Sequence, residues 1–124
     1  MNMVDASGWI EFFTAGPNGP KFKPVIEKTD ELLVTSINLY EVHRVLSRKL
    51  PKHLRDTCLD LMHRAPVIDF TDARAIAAAD LASKHQLAMA DAAMYAMALE
   101  HKATLWTQDA DYQGLVGVQY FAKP

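Results

Sequence analysis

The chain has 124 residues, half of them hydrophobic, and a net charge of −2 with its histidines neutral. That length and apolar content exclude a disordered chain and predict one domain, residues 1–124, burying roughly two thirds of its unfolded surface. Slight acidity excludes a surface that attracts nucleic acid everywhere, though not a local basic rim, and a single cysteine, Cys58, excludes an internal disulfide.

No basic-then-apolar leader opens the chain, and no apolar run nears the ~18 residues of a membrane span, so a soluble cytoplasmic protein with no membrane contact is expected. Asn2 to Asp5 reads as a short strand ending in an acid, and Ala6-Ser7 turns it into a helix carrying Trp9, Ile10, Phe12 and Phe13. Asp5 or Ser7 would serve that helix as N-cap. Thr14 to Pro20 holds two glycines and two prolines and reads as a loop, with a short helix over 22–28. Leu32 to Ile37 is the second strand, its three consecutive apolar residues predicting burial on both faces. Asn38 is expected to cap the next helix, with Glu41 three residues on completing a capping-box pattern. That helix runs to about Leu50, and Pro51 begins another.

Arg44, Arg48, Lys49, Lys52 and Arg55 follow one another with no acid between His43 and Arg55. A charge run is ordinarily a solvated face, but five unopposed cations in an acidic chain point to a polyanion. Cys58 shares a face with Leu54, Leu61 and Met62 and reads as a buried apolar side chain. Pro66 to Phe70 is a third strand, and Thr71 and Asp72 compete to cap an alanine-rich helix through 84 or 85. Asp91 then opens a helix whose next eight residues, Ala92 to Leu99, are apolar without a break. A helix apolar on every side lies in the middle of a domain. Ala103 to Thr107 is an interior strand, followed at once by Asp109 and Asp111, and Val118 to Phe121 is the last strand. The order β-α-α-β-α-α-β-α-α-β-α-β implies an α/β fold with helices on both faces of a mainly parallel sheet.

Sites in open α/β sheets lie beyond the carboxyl ends of the strands. Asp5, Glu41, Asp91, Asp109 and Asp111 all fall at that edge. Each alone has an ordinary reading as a cap or turn residue; together they do not, since Ser, Thr or Asn would cap equally well. Two unit charges ~4 Å apart repel by ~4 kcal/mol at an effective dielectric of 20. Several such pairs would erode much of a domain's stability of roughly 5–15 kcal/mol. Either some acids stay protonated or a cation sits among them. A set of carboxylate oxygens without neighbouring His or Cys selects Mg²⁺ or Mn²⁺ over zinc. The five histidines, scattered from His43 to His101, show no ligand spacing. A hard cation beside a basic rim suits cleavage of a phosphodiester, with Arg and Lys holding the flanking phosphates.

Four blocks in order carry a resemblance: Val4-Asp5-Ala6-Ser7-Gly8-Trp9; Thr35-Ser36 with Glu41; Ala90-Asp91-Ala92 with Ala96, Ala98 and Glu100; and Leu105 through Thr107, Asp109, Asp111 and Tyr112. In these the chain resembles the PIN-domain ribonucleases, in particular the VapC-type toxins of prokaryotic toxin–antitoxin pairs. The resemblance implies a PIN-like three-layer α/β/α fold and a metal-dependent endoribonuclease. It implies Asp5, Glu41, Asp91 and Asp109 as catalytic acids, and Asp5, Asp91, Asp109 and an auxiliary Asp111 as ligands for Mg²⁺ or Mn²⁺. It further implies support of the site by Ser7 and Thr107, an RNA substrate, a homodimer and inhibition by a cognate antitoxin. Ala6 and Gln108 depart from the family's commoner residues without removing an acid. Two alternatives stand beside this reading. An aspartate-based phosphotransfer or phosphatase domain would want a second Asp where Ser7 stands, and a non-catalytic RNA-binding module would have no reason to keep the acids.

Overall fold

The computed structural model describes residues 1–124. Five strands, β1 (Asn2–Val4), β2 (Leu32–Thr35), β3 (Val67–Ile68), β4 (Thr104–Thr107) and β5 (Val118–Tyr120), form one sheet in the order β3-β2-β1-β4-β5. Every pairing is parallel. Six helices connect them: α1 (Ala6–Phe13), α2 (Gly19–Glu27), α3 (Ser36–Lys49), α4 (Lys52–Met62), α5 (Asp72–His85) and α6 (Met89–Glu100). Short 3₁₀ turns precede β2 and follow β4.

The two-residue period of the strands divides the core. Met3, Leu33 and Leu105 pack with α5 and α6 on one face, whereas Val4, Leu32 and Val34 pack with Trp9, Phe22, Val42, Leu46 and Met62 from α1 to α4 on the other. Three layers result, each sheet face closed by side chains that contribute roughly 1.5–3 kcal/mol apiece on burial. Residues Ala92 to Ala98 of α6 are all buried, as an all-round apolar helix requires. Gly8 lets α1 lie close on β1: a Cβ there would come 2.6 Å from Val4 Cγ1 and 2.8 Å from the Phe22 ring. Cys58 is buried and unpaired. No helix is long and apolar enough to cross a membrane.

The chain runs outward from β1 to β2 and β3, then returns through α5 and α6 to place β4 on β1's other side. The strand order therefore reverses beside β1, and the carboxyl ends of β1 and β4 flank the crevice where such sheets bind ligands.

Several expected boundaries move. The short helix after the glycine–proline loop begins at Gly19 rather than residue 22, because Pro20 falls in the first turn, where a missing N–H costs little. β2 stops at Thr35, and Thr35 rather than Asn38 caps α3. The Thr35 hydroxyl accepts the Asn38 N–H at 3.0 Å, and Asn38 Oδ1 accepts the Thr35 N–H at 3.0 Å. Asn38 is thus the far member of the box, and its Nδ2 donates to the Val4 carbonyl at 3.1 Å, binding α3 to β1. Ala88, not Asp91, is the cap of α6, and it makes no side-chain hydrogen bond.

Candidate active site

Those corrections remove the ordinary explanations for two acids. Glu41 lies in the second turn of α3, too far along to reach the cap. Asp91 lies in the first turn of α6 but caps nothing. Asp5 keeps its structural role and more. Its N–H donates to the Trp106 carbonyl at 3.1 Å, continuing the ladder to β4. Its Oδ1 accepts the Gly8 N–H at 3.1 Å and the Ser7 hydroxyl at 2.7 Å. Beyond β4, the Asp109 N–H donates to the Thr107 hydroxyl at 2.9 Å, and Asp109 Oδ1 accepts the Asp111 N–H at 2.9 Å. The Ser7 hydroxyl thus holds the Asp5 side chain, and the Thr107 hydroxyl holds the backbone of Asp109.

Asp5, Glu41, Asp91 and Asp109 line one cavity of about 220 Å³, together with Ser7 and Tyr112 and a small apolar wall. No Lys, Arg or His lines it. Four acids from four separate stretches thus share a space with no positive charge of the protein's own. Burial pushes the Asp5 carboxyl up to about 6, against the Ser7 and Thr107 hydroxyls and the Gly8 N–H, with the Asp109 charge adding to the rise. Glu41 is pushed up to about 7, by burial first and then by Asp91, Asp5 and Asp109. Asp91 is raised by burial and by the charges of Asp109 and Asp111, opposed by the Tyr112 hydroxyl. Burial comes first in each of these rises, and no cation of the chain opposes any of them.

The spacing of the acids bears on that missing counter-charge. Oxygens of Asp91, Asp109 and Asp111 all lie within 4.8 Å of one another. Asp111 is exposed and outside the cavity wall, while Asp5 and Glu41 share that wall with Asp91 and Asp109. A donor set of carboxylate oxygens alone fits a hard divalent cation. Ser7, where a phosphatase of the aspartate type would want an acid, is spent on holding Asp5.

Tyr112 belongs to this site although its place in the sequence assigns it no role. It is fully buried, and its hydroxyl lies 3.0 Å from the Asp91 carbonyl oxygen and 3.3 Å from Asp91 Oδ1. Burial and the surrounding acids push its phenol far above the ordinary tyrosine range. The signal available was a tyrosine beside two acids in a turn, since a buried phenol needs a partner. Gln108 turns away from the acids: its Oε1 accepts Asn18 Nδ2 at 3.0 Å, anchoring the loop before α2.

The basic run divides into two. Arg44, Arg48 and Lys49 are exposed on α3 and make no ion pair. Lys52 pairs with Asp56, one residue beyond the run, at 2.7 Å, and Arg55 Nη1 donates to the Ser47 hydroxyl at 3.0 Å.

The chain belongs to the PIN domain family, whose pattern matches residues 3–117. A search of curated proteins finds no match. Among solved structures, it is similar to a chain of a toxin–antitoxin complex from Klebsiella pneumoniae (TM-score 0.81, 18% identity, 96% of each chain covered). It is also similar to VapC20 of Mycobacterium tuberculosis, a toxin that cleaves the sarcin–ricin loop (0.77, 18%, 96% of this chain and 99% of that one). A third likeness is to a chain of the DNA-bound VapBC complex of Salmonella typhimurium (0.77, 16%, 98% of each). At these identities the likeness is one of fold.

Proposed function

We propose that this chain is a metal-dependent endoribonuclease of the VapC toxin type, held in check by a cognate antitoxin and working in the cytoplasm as a homodimer. Residues 1–124 are taken as one nuclease unit. The observation that carries the reading is the meeting of Asp5, Glu41, Asp91 and Asp109 around a single cavity devoid of cations. The PIN family match and the toxin–antitoxin neighbours support the same conclusion.

Asp91, Asp109 and Asp111 would hold Mg²⁺ or Mn²⁺, with Asp5 beside them on the cavity wall. A bound divalent ion supplies charge neutralisation at the phosphate and a water of lowered pKa. Glu41, raised to about 7, is suited to take and return a proton near neutrality. Arg44 and Arg48 stand three and seven residues beyond Glu41 on α3. At 1.5 Å per residue that puts Arg48 about 10 Å along the helix, a suitable reach for flanking phosphates. Lys49 joins them, while Lys52 and Arg55, engaged by Asp56 and Ser47, contribute less. An antitoxin that presents a guanidinium to the cavity would supply the missing charge and block the site.

The test is incubation of purified protein with total cellular RNA, with Mn²⁺ and with EDTA, and mapping of the new ends. Cleavage confined to the Mn²⁺ sample, leaving 5′-phosphate and 3′-hydroxyl ends, is expected. Cutting that persists in EDTA, or cyclic phosphate ends, contradicts the assignment.

A further inference from the structure

Asp5 is held by the Ser7 hydroxyl and the Gly8 N–H, and Asp109 by the Asp111 N–H. Asp91 has neither a cap bond nor an ion pair, and one group donates to its carboxylate, the Tyr112 hydroxyl. That phenol carries a single proton, poised between the Asp91 carbonyl at 3.0 Å and Oδ1 at 3.3 Å, so backbone and side chain of the same residue are tied together. Tyr112 ends the 3₁₀ turn Ala110–Tyr112, which Asp109 caps and which contains Asp111. The group that fixes Asp91 therefore belongs to the same short turn that carries the other two members of the oxygen cluster.

A second tyrosine shows what is special about the first. Tyr95, in the middle of α6, donates in the opposite direction, to the Val116 carbonyl at 2.7 Å. The two phenols clasp α6 to the segment after β4 reciprocally, and both are buried, Tyr112 at 0% and Tyr95 at 3% exposure. Either bond would hold the segment in place. Only the Tyr112 bond reaches a carboxylate.

On the reading of the cavity as a metal site, we propose that Tyr112 is a positioning residue that presets Asp91 against Asp109 and Asp111 and so sets the affinity for the divalent ion. A carboxylate in the first turn of a helix has several rotamers open to it, and ion binding must select one. A hydroxyl that holds the selected rotamer in the metal-free protein lowers the entropic cost of binding. Hydrogen-bond partners of ligating carboxylates commonly carry such effects.

Tyr112→Phe keeps the ring and removes only the donor, and Tyr95→Phe does the same to the partner bond. Mn²⁺ is titrated calorimetrically into the metal-free wild type and both variants, and melting curves are taken of each without metal. Tyr112→Phe is expected to weaken Mn²⁺ binding about 10-fold or more, while Tyr95→Phe keeps the wild-type affinity. Saturating Mn²⁺ should return the cleavage rate of Tyr112→Phe to that of the wild type, because the deficit lies in occupancy. Equal Mn²⁺ affinity in wild type and Tyr112→Phe overturns the assignment. So does an equal weakening in both variants, which would make the clasp a matter of fold alone. A wild type that takes up no Mn²⁺ removes the metal-site reading itself and this assignment with it, and all three titrations are then flat.

Discussion

Helix α6 carries a carboxylate near each end, and the two have opposite fates. The helix dipole favours an acid at the N-terminus and disfavours one at the C-terminus, by roughly 0.3–1 kcal/mol. Asp91, at the favoured end, nevertheless has its carboxyl pushed up, by burial and by Asp109 and Asp111. Glu100, at the disfavoured end, is held below the ordinary range by the Arg74 guanidinium. That pairing is a fork: Arg74 Nε lies 3.0 Å from Glu100 Oε1 and Nη2 2.9 Å from Oε2. The fold thus neutralises an acid with a side chain where only structure is at stake. At the cavity it supplies no cation, and local crowding there outweighs the dipole. The difference sets Asp91 apart as an acid with no cation of the chain beside it, as the proposed metal site requires.

The strongest way to break this comparison is Asp91→Asn. If Asp91 is a ligand, RNA cleavage should fall by ~10³-fold or more, about 4 kcal/mol of barrier. The metal-free protein should become more stable, since one repelling charge has gone; a relief of ~1 kcal/mol raises the melting temperature by roughly 3–5 °C at this length. The extra stability that Mn²⁺ gives the wild type should shrink with it. An Asp91→Asn protein that cuts RNA and keeps the full Mn²⁺ shift would place Asp91 with Glu100, as a structural acid.

Acidity probes the same contrast without mutation. The folded-state carboxyls of Asp5 and Glu41 sit at about 6 and about 7, above ordinary values of 3.8 and 4.5. Between those limits the folded protein keeps protons that the unfolded chain has released. The folded state then binds more protons, so stability of the metal-free protein falls as pH rises through the window and is lowest above it. Asp5→Asn should flatten that fall by roughly 3 kcal/mol, the worth of the Asp5 shift at 1.36 kcal/mol per unit. The measurement is a series of melting curves in EDTA from ~pH 4 to ~pH 8, wild type against variant. A wild-type curve as flat as the variant's would mean that the acids are already compensated.

The fold was legible because its signals are redundant. An all-apolar α6 has one place to go, and β2, buried at every position, reads as a short apolar run at 32–34. The caps were less so. Thr35 and Asn38 each make a plausible N-cap, and choosing between them requires knowing that the Val4 carbonyl lies where Asn38 Nδ2 can reach it. Asp5 and Asp109 could be named from the strands they follow, whereas Glu41 and Asp91 lie within helices and meet them through the packing around the cavity. Tyr112 could not be given its role from sequence, because the bond to Asp91 depends on how the turn after β4 folds back against α6. The basic run reads as uniform in the sequence because Asp56 lies just past its end. Lys52 and Asp56 stand four apart on α4, so helical spacing joins them once the helix is placed.

A smaller effect tests the division of that run. Arg44→Ala, Arg48→Ala and Lys49→Ala together should weaken RNA binding and flatten its salt dependence, by roughly 0.7 in log–log slope for each single-strand phosphate no longer neutralised. Lys52→Ala with Arg55→Ala should change the slope less, because these cations already have partners on the protein. Slopes measured from ~50 to ~200 mM salt decide the matter. A larger drop in the second pair would put the RNA path over α4 instead.

The smallest expected effect is also the sharpest control. Glu100→Gln makes the same chemical change as Asp91→Asn, one carboxylate to its amide on the same helix. Each takes the net charge from −2 one unit toward zero. If general self-repulsion of an acidic protein were the issue, both substitutions would stabilise the metal-free chain. If the two ends of α6 differ in their counter-charge, the signs differ as well. Asp91→Asn relieves crowding, whereas Glu100→Gln leaves Arg74 with a weaker partner and only the Asp69 carbonyl, 2.7 Å from Nη1, still in place. Exposed ion pairs are weak, so the melting temperature should fall only slightly. The Mn²⁺-induced shift and the cleavage rate should stay at wild-type values, since Glu100 does not line the cavity. A rise in melting temperature for both variants would reduce the acid cluster to one more contribution to net charge. Opposite signs, with Mn²⁺ sensitivity absent in Asp91→Asn alone, would tie the crowding to the site.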